Sequence, residues 1–377
     1  MRGSYGPLVL QGTPHERGLA HGRALAREIR AVVNLWKEDL ERTYACRADE
    51  VIARFLDATG FVRSMQERLP DLWDEVRGLA AGCGVDLATI TAFQMVDELW
   101  LNGEEAMAAH CTCVGFDPTP EDPALLAQTI DVERFRDGFQ TVLRIQDLDT
   151  GVEALVMTCA GLIGLNGLNN HGVGVCCNAQ MQLAHADCGL PVACVVRGVL
   201  AQRSQEEAAA FLHEVPHASG QSYLLGGPRG AEAYECSPNG VAVVGPQGQG
   251  GAVWHTNHPL ESQDHAPWYR PLLAATEDDP FLQNSRIRLA TVERLLAGLP
   301  LGPNADRAVE ILSSREPSRH PICATGGDGE LYQEAGLFTF AATIMALSEP
   351  PELQYTFGPP DRNPFHRASF ETSPESG

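Results

Sequence analysis

The chain changes character once, near residue 110, and this change constrains the fold more than any other feature. Before it, apolar residues recur at helical spacing through residues 25–44 and again over DLWDEVRGLAAGCGVDLATITAFQMVDEL. After it come short runs rich in Val, Leu, Ile and Cys, separated by Gly, Asn, Asp and Pro, a pattern typical of strands. The sequence therefore predicts a helical portion over 1–110 and a strand-rich portion over 111–377.

Helices also interrupt the strand-rich portion, with predicted ranges 191–213, 281–299 and 304–313. Strands grouped between helices, without a regular alternation of the two, indicate an α+β fold with mainly antiparallel sheets. Because 44% of the 377 residues are apolar, the chain is able to bury a sizeable core. On the 281–299 helix we expect Arg286 and Arg288 to pair with carboxylates.

Charge excludes several classes of function. The chain has 49 acidic and 27 basic residues, a formal net charge of −22, so nucleic acid and anionic membranes are poor partners. Lys37 is its only lysine, which leaves Schiff-base, pyridoxal phosphate and P-loop chemistry almost without a site. The acidic field also disfavours an anionic substrate, so we expect a substrate whose amine portion is neutral or cationic.

Membrane, metal and cofactor sites are not expected either. No run approaches the roughly 18 apolar residues of a membrane span, and the first residues lack a basic-then-apolar signal segment, so the expected location is cytoplasmic. Cys176, Cys177, His185 and Cys188 lie close in sequence but lack the paired spacing of zinc ligands. We expect no metal and no cofactor.

The junction itself reads His110-Cys111-Thr112-Cys113. A cysteine where a helical portion meets the first strand is either a buried strand residue or a nucleophile. Residue chemistry alone favours the buried residue, because buried thiols are common.

Several motifs change that balance. From end to end, and in the expected order, the chain resembles the acyl-coenzyme A:6-aminopenicillanic acid acyltransferase-like family of the N-terminal nucleophile (Ntn) hydrolases. The motifs that carry the resemblance are GTPHERGLAHG, EVRGLAAGCGVDLATI, HCTCVGF followed by LLAQTIDVERF, GLIGLNGLNNHGVGVCCNAQ, HTNHPL, NSRIRLATVERLL and TFAATIMALSEPPELQYTFGPPDRNPF.

The resemblance implies a fold and a maturation step. The fold would be an Ntn-hydrolase αββα sandwich of two mainly antiparallel sheets between helical layers. The precursor would cut its own His110–Cys111 bond, giving a helical α-chain or pro-segment over 1–110 and a β-chain over 111–377 that carries the catalytic core. Cleavage makes a base, because the freed α-amine titrates near 7.7–8.0 and can take the proton of a thiol whose pKa is about 8.5.

The same resemblance suggests roles for five further residues. Asp131 would position the amine of the nucleophile, although it could also be a surface turn carboxylate. Asn257 would donate to the oxyanion, although an Asn there could simply cap a turn. Asn178, at a strand end, is a candidate second oxyanion donor or wall residue. Thr112 and His258 are further candidates for oxyanion or substrate binding.

The sequence also departs from the family. His110 replaces the Gly that precedes the nucleophile in penicillin-processing members, which alters the strain available for cleavage. Pro321 and Ala324 stand where members often have the Ser and Arg of Ser-Ile-Cys-Arg-His. Arg319 is a candidate replacement for that Arg.

The predicted function is an amidohydrolase that cleaves a small-molecule amide through a thioester at Cys111. An alternative is an acyltransferase that moves an acyl group from a thioester or amide donor to an amine. Hydrolysis is favoured because no basic cluster marks a coenzyme A site. A second alternative is an unprocessed homologue that binds a small molecule without turnover.

Overall fold

The computed structural model describes residues 6–101, 110–247, 251–274, 280–297, 304–328 and 336–370. Helices dominate the described chain before residue 110 and strands dominate after it, as predicted. The helices of the first portion are α1 (Pro14–Ala24), α2 (Ala26–Tyr44), α3 (Ala48–Ala58), α4 (Phe61–Arg68), α5 (Pro70–Cys83), α6 (Leu87–Phe93) and α7 (Val96–Leu101). Four more follow: α8 (Val192–Leu200), α9 (Gln205–Glu214), α10 (Pro280–Ala297) and α11 (Ala305–Leu312).

The helix predictions need one correction. The single helix expected over 191–213 is two helices, because the side chain of Ser204 accepts a hydrogen bond from the Glu207 backbone N–H and caps a new helix. The predictions for α10 and α11 are confirmed to within two residues over the described chain.

The strands form two sheets. In chain order they are β1 (Leu8–Leu10), β2 (Thr112–Phe116), β3 (Leu125–Glu133), β4 (Gln140–Gln146), β5 (Glu153–Cys159), β6 (Asn166–Asn169), β7 (Gly174–Ala179), β8 (Gln221–Gly227), β9 (Gly230–Ser237), β10 (Gly240–Val244), β11 (Val253–His255), β12 (Leu337–Ala346), β13 (Glu352–Phe357) and β14 (His366–Ser369). One sheet has the order β1-β4-β5-β6-β7-β8-β9-β10 and the other β11-β2-β3-β12-β13-β14.

Every neighbouring pair is antiparallel except β1 with β4. Strand β1 lies outside the predicted strands, and through its three residues the helical portion joins the edge of the larger sheet. So short a strand leaves too few residues for an alternating pattern.

The two sheets pack face to face. A Cβ at Gly115 on β2 would lie 2.6 Å from the Cβ of Ala231 on β9, and one at Gly174 on β7 would lie 3.1 Å from the side chain of Leu126 on β3. Helices α10 and α11 cover the outer face of the smaller sheet through a separate apolar cluster that includes Val292. Helices α8 and α9 lie on the outer face of the larger sheet. The predicted αββα sandwich is confirmed.

Glycines in two of the motifs bring α1 and α5 into close contact. A Cβ at Gly18 would lie 1.8 Å from the backbone oxygen of Glu75, and one at Gly78 would lie 2.1 Å from that of His15. Only a residue without a side chain allows this approach. Among the described residues, no helix has the length and apolar character needed to cross a membrane.

Candidate functional site

Cys111 lies immediately before β2, at the end of the smaller sheet. Antiparallel pairing sets Thr112 opposite Thr129, so the residue before Thr112 comes alongside the last residues of β3, where Asp131 lies. Cys111 and Asp131 line the same cavity, of about 60 Å³. The register of β2 against β3 therefore places Cys111 and Asp131 side by side, although they are twenty positions apart in the chain.

Burial governs the protonation of this pair. Asp131 is 3% exposed, and the Thr339 side chain, opposite it in the sheet, offers its carboxylate a hydrogen bond. Burial raises its pKa to about 7. Burial, followed by the charge of Asp131, raises the pKa of the Cys111 thiol to about 12. In the intact chain Cys111 is therefore a neutral thiol that needs a base before it can attack.

Arg288, on α10, connects the residues around Cys111. Its side chain is fully buried. Nη1 donates to the Cys111 carbonyl oxygen at 2.7 Å and to Thr112 Oγ1 at 3.0 Å, and Nη2 donates to Asn257 Oδ1 at 2.9 Å. Within the described chain no carboxylate lies within ion-pair distance of it, so the expected pairing with a carboxylate is wrong for this arginine. Its guanidinium instead donates hydrogen bonds to uncharged oxygens at the site.

Asn284, one turn earlier on α10, holds His110. Asn284 Oδ1 accepts from Arg288 Nε at 2.8 Å, which fixes the amide orientation because Nε–H can only donate. His110 Nδ1 lies 2.9 Å from the same oxygen and therefore carries a proton. Burial and the charge of Arg288 lower the pKa of His110 to about 3. The residue before Cys111 is thus a neutral, anchored imidazole.

Asn257 lies in the turn after β11, and its amide orientation is also defined. Because its Oδ1 faces Arg288, its Nδ2 faces the other way and donates to the Ala179 oxygen at 3.1 Å. Ala179 lines the cavity beside Cys111. The Asn257 backbone N–H donates to Ser285 Oγ at 2.8 Å. One of the two Asn257 Nδ2 hydrogens is bonded to the Ala179 oxygen, and the Asn257 Nδ2 group therefore faces the cavity wall that Ala179 forms.

A buried hydrogen bond between His255 and Glu235 supports the turn that carries Asn257. His255 Nε2 lies 2.7 Å from Glu235 Oε1, and both side chains are fully buried. The Glu235 carboxylate also accepts from the backbone N–H groups of Glu261 and Ser262. His255 Nδ1 lies 2.7 Å from the Thr256 oxygen. These bonds hold both ends of the turn.

The other candidates lie nearby with different surroundings. Asn178 is fully buried on β7, and neither polar atom of its side chain is hydrogen-bonded within the described chain. Its amide can therefore still donate to a substrate. His258 Nδ1 lies 2.7 Å from Ser285 Oγ, and burial lowers its pKa to about 3. Thr112 and His258 are therefore already engaged by α10.

The departures from the family motif fall at the same site. The Ala324 backbone N–H donates to Thr339 Oγ1 at 2.8 Å, and Thr339 lies opposite Asp131 in the sheet. Arg319 is exposed. The buried guanidinium at this site belongs to Arg288 instead. Among the described residues, no group of three or more His, Cys, Asp or Glu side chains could hold a metal ion.

Sequence reasoning missed the role of Asn284, Ser285 and Arg288. Their signal was a polar stripe: residues 284, 285 and 288 share the buried face of α10 with Leu282 and Val292. Polar residues on the apolar face of a helix require partners inside the protein.

Comparison with known proteins identifies relatives. The family model described as acyl-coenzyme A:6-aminopenicillanic acid acyl-transferase matches residues 125–346. The chain is 29% identical over 295 residues to the 40 kDa form of acyl-coenzyme A:6-aminopenicillanic-acid-acyltransferase from Emericella nidulans, covering 77% of each.

Solved structures give weaker likenesses. A Caenorhabditis elegans ortholog of N-acylethanolamine-hydrolyzing acid amidase has 15% identity and a TM-score of 0.43, covering 63% of this chain and 93% of that one. Penicillin V acylase from Agrobacterium tumefaciens has 12% identity and a TM-score of 0.33, covering 66% and 83%.

Proposed function

Because this chain belongs to the acyl-coenzyme A:6-aminopenicillanic acid acyl-transferase family, we propose that it is a self-processing amidohydrolase with Cys111 as its nucleophile. Family membership places it among enzymes that hydrolyse amides or transfer acyl groups. One observation carries the finer proposal: Cys111 shares a cavity with Asp131, a buried carboxylate that makes no ion pair with the described residues. That carboxylate suits a cation that the intact chain does not yet have.

Processing supplies the cation. Sγ of Cys111 attacks the carbonyl carbon of His110, the peptide C–N bond breaks, and the resulting thioester is hydrolysed by water. Asp131 takes the thiol proton in this first step and gives it to the leaving nitrogen of Cys111 as the C–N bond breaks, since a carboxylate with a pKa of about 7 is a better base than an ordinary one. The products are the chains 1–110 and 111–377 and a free α-amine on Cys111. As an ammonium, that amine has Asp131 beside it.

Turnover then uses the new amine as the base. The amine accepts the thiol proton while Sγ attacks the acyl carbon of an amide, and the leaving amine departs protonated. Asn257 stabilises the oxyanion through Nδ2, and Arg288 keeps that amide in the donating orientation. Asn178 is the candidate second donor. Water then releases the acid from the thioester, which regenerates the thiol.

A mass measurement tests the proposal. The denatured mass of the purified protein is compared with those of Cys111→Ala and of Cys113→Ala, a matched control two residues away on β2. We expect fragments 1–110 and 111–377 from the wild type and from Cys113→Ala, and an intact chain from Cys111→Ala. A cyanobenzothiazole probe, which condenses with N-terminal cysteine, should label only the 111–377 fragment. An intact, unlabelled wild type would favour the non-catalytic binding protein.

Acyl transfer is the second candidate, because the Emericella nidulans relative is named for it. Transfer and hydrolysis share the acyl-enzyme and differ in what attacks it. The processed enzyme would be given an acyl thioester and an amine, and the amide and free acid would be measured. We expect free acid to form faster; dominant amide would establish transfer.

A further inference from the structure

A second cavity lies where the helical portion meets the larger sheet. It has a volume of about 260 Å³ and is lined by residues of α1, α4, α5, β4, β5 and α8. Its lining shares no residue with that of the cavity beside Cys111, so the two cavities are separate. Three charged side chains of the lining, Arg17, Glu75 and Arg197, are each less than a tenth exposed.

The charges of these three buried side chains do not cancel. Arg197 holds the Glu75 carboxylate with two hydrogen bonds, Nη1 to Oε1 at 2.7 Å and Nη2 to Oε2 at 2.9 Å. Arg17 is a second cation beside the same carboxylate, with its Nε 3.5 Å from Glu75 Oε2. The neighbouring His21 is neutral, because burial lowers its pKa to about 4. The buried cluster therefore has one positive charge in excess.

Arg17 also has donors that are not used. Within the described chain its Nη1 donates to the Gly12 oxygen at 2.9 Å. Its Nε is buried and makes no hydrogen bond to the described residues, since the 3.5 Å contact with Glu75 is only an ion pair. Buried N–H groups without an acceptor are costly, so this side chain suits a ligand that brings oxygen atoms and a negative charge.

The start of α5 adds backbone donors to the same cavity. Leu69 precedes the helix and gives it no side-chain cap. Pro70 has no N–H, so the first N–H groups of the helix belong to Asp71 and Leu72, and neither has an acceptor within the helix. Both residues line the cavity. Free N–H groups and the helix dipole favour an anion at this end.

The other charges of the lining limit how negative the ligand can be. Arg68 and Asp71 are both exposed and of opposite sign. Asp147 Oδ1 accepts from the backbone N–H groups of Asp149 and Thr150, which holds this carboxylate in its own turn. The net charge of −22 opposes an anion at long range, so affinity must come from contacts at short range. One excess cation matches a ligand with a single negative charge.

Much of the remaining lining is apolar. Ile145, Val152, Ala154 and Leu200 contribute side chains that bury the non-polar part of a ligand. The volume is close to the roughly 300 Å³ at the lower end of small-molecule sites. The room therefore suits a small amphipathic molecule with one polar end.

We propose that this cavity binds a monocarboxylate with a short apolar tail. The carboxylate accepts hydrogen bonds from Arg17 and from the backbone N–H groups at the start of α5, and the tail packs on the apolar lining. A planar guanidinium matches the two oxygens of a carboxylate in geometry as well as in charge. The inference goes beyond the proposed function, because none of these residues takes part in the chemistry at Cys111.

Three probes test the chemical class. Octanoate, 1-octanol and inorganic phosphate are titrated into the purified full chain in a calorimeter. 1-Octanol has the same chain without the charge, and phosphate has the charge without the chain. We expect octanoate to bind at least about tenfold more tightly than either, because only octanoate supplies both the charge-assisted hydrogen bonds and the buried tail.

Variants locate the binding. Arg17→Gln should weaken octanoate binding at least about tenfold, because it removes the excess charge. Ala201→Trp should weaken it as much by filling the cavity, and Ala201 is exposed, so this variant keeps the test decisive if Arg17→Gln does not fold. Arg77→Gln is the matched control, because Arg77 is exposed on α5 and does not line the cavity.

Four results would overturn the inference. They are no binding of octanoate, equally tight binding of 1-octanol or phosphate, affinity unchanged in a folded Arg17→Gln or in Ala201→Trp, and an equal loss of affinity in Arg77→Gln. None of them depends on whether the His110–Cys111 bond is cut, so this inference and the proposed function fail separately.

Discussion

Replacing Arg288 with lysine tests the arrangement around Cys111 most directly. The guanidinium donates to four oxygens on three parts of the chain: the start of β2, the turn after β11, and α10 itself. A lysine ammonium keeps the charge but has three donors on one atom, so at least one oxygen must lose its partner. Each buried acceptor left unsatisfied costs about 1–3 kcal/mol. We therefore expect Arg288→Lys to lower the free energy of unfolding by about 2 kcal/mol.

The effect on chemistry should be larger than the effect on stability. If the Asn257 amide loses its Arg288 partner, it is free to turn its oxygen towards the site and repel the oxyanion. Loss of one oxyanion donor slows turnover about 100- to 1,000-fold in other hydrolases. We expect a fall of about 100-fold in the turnover of any amide that the wild type accepts, and slower appearance of the 111–377 fragment.

The assay separates stability from chemistry. Urea unfolding is measured in the Cys111→Ala background, where the chain stays intact, and cleavage is followed over time in chains that keep Cys111. Arg294→Lys is the matched control, because Arg294 is exposed on the same helix and should change neither quantity. The reasoning is refuted if Arg288→Lys matches the wild type in both assays, or if Arg294→Lys is equally impaired.

Three further changes test other parts of the structure. Gly18→Ala would put a Cβ 1.8 Å from a backbone oxygen of α5, and it should lower the free energy of unfolding by about 3 kcal/mol, whereas Gly240→Ala meets nothing within 4 Å and should be neutral in the same urea titration. In the intact Cys111→Ala chain, Asp131→Asn should be stabilising by about 4 kcal/mol at pH 8. Burial raises the folded-state pKa of Asp131 to about 7, so its ionisation penalty is fully present above pH 7 and is relieved as pH falls towards 4. An equal gain at pH 8 and pH 4.5 would contradict this cause. Glu235→Gln should lower the free energy of unfolding by about 3 kcal/mol, because it breaks the buried contact with His255. The same variant should change the NMR chemical shifts of residues 255–262, and changes confined to residues far from that range would argue against the proposed support of the turn.

The sequence alone determined the layers and much of the candidate list. Hydrophobic periodicity is local, so the helical portion before residue 110 and the strands after it could be read from spacing. The motifs placed Cys111, Asp131 and Asn257 as candidates before any geometry was known. Hydrophobic periodicity did not predict β1, because three residues are too few to show an alternating pattern. It also did not predict the break before α9, because a single capping serine, Ser204, starts that helix.

Only the tertiary structure decided what the polar side chains contact. The sequence favoured a carboxylate partner for Arg288, because sequence spacing does not report which face of a helix is covered. Once α10 packs against the smaller sheet, that arginine is buried beside the Cys111 carbonyl, 177 residues away in the chain. Likewise, the raised pKa of Asp131 arises from burial between elements that are distant in sequence. Protonation and hydrogen bonding depend on what surrounds a group in space, and that surrounding exists only in the folded chain.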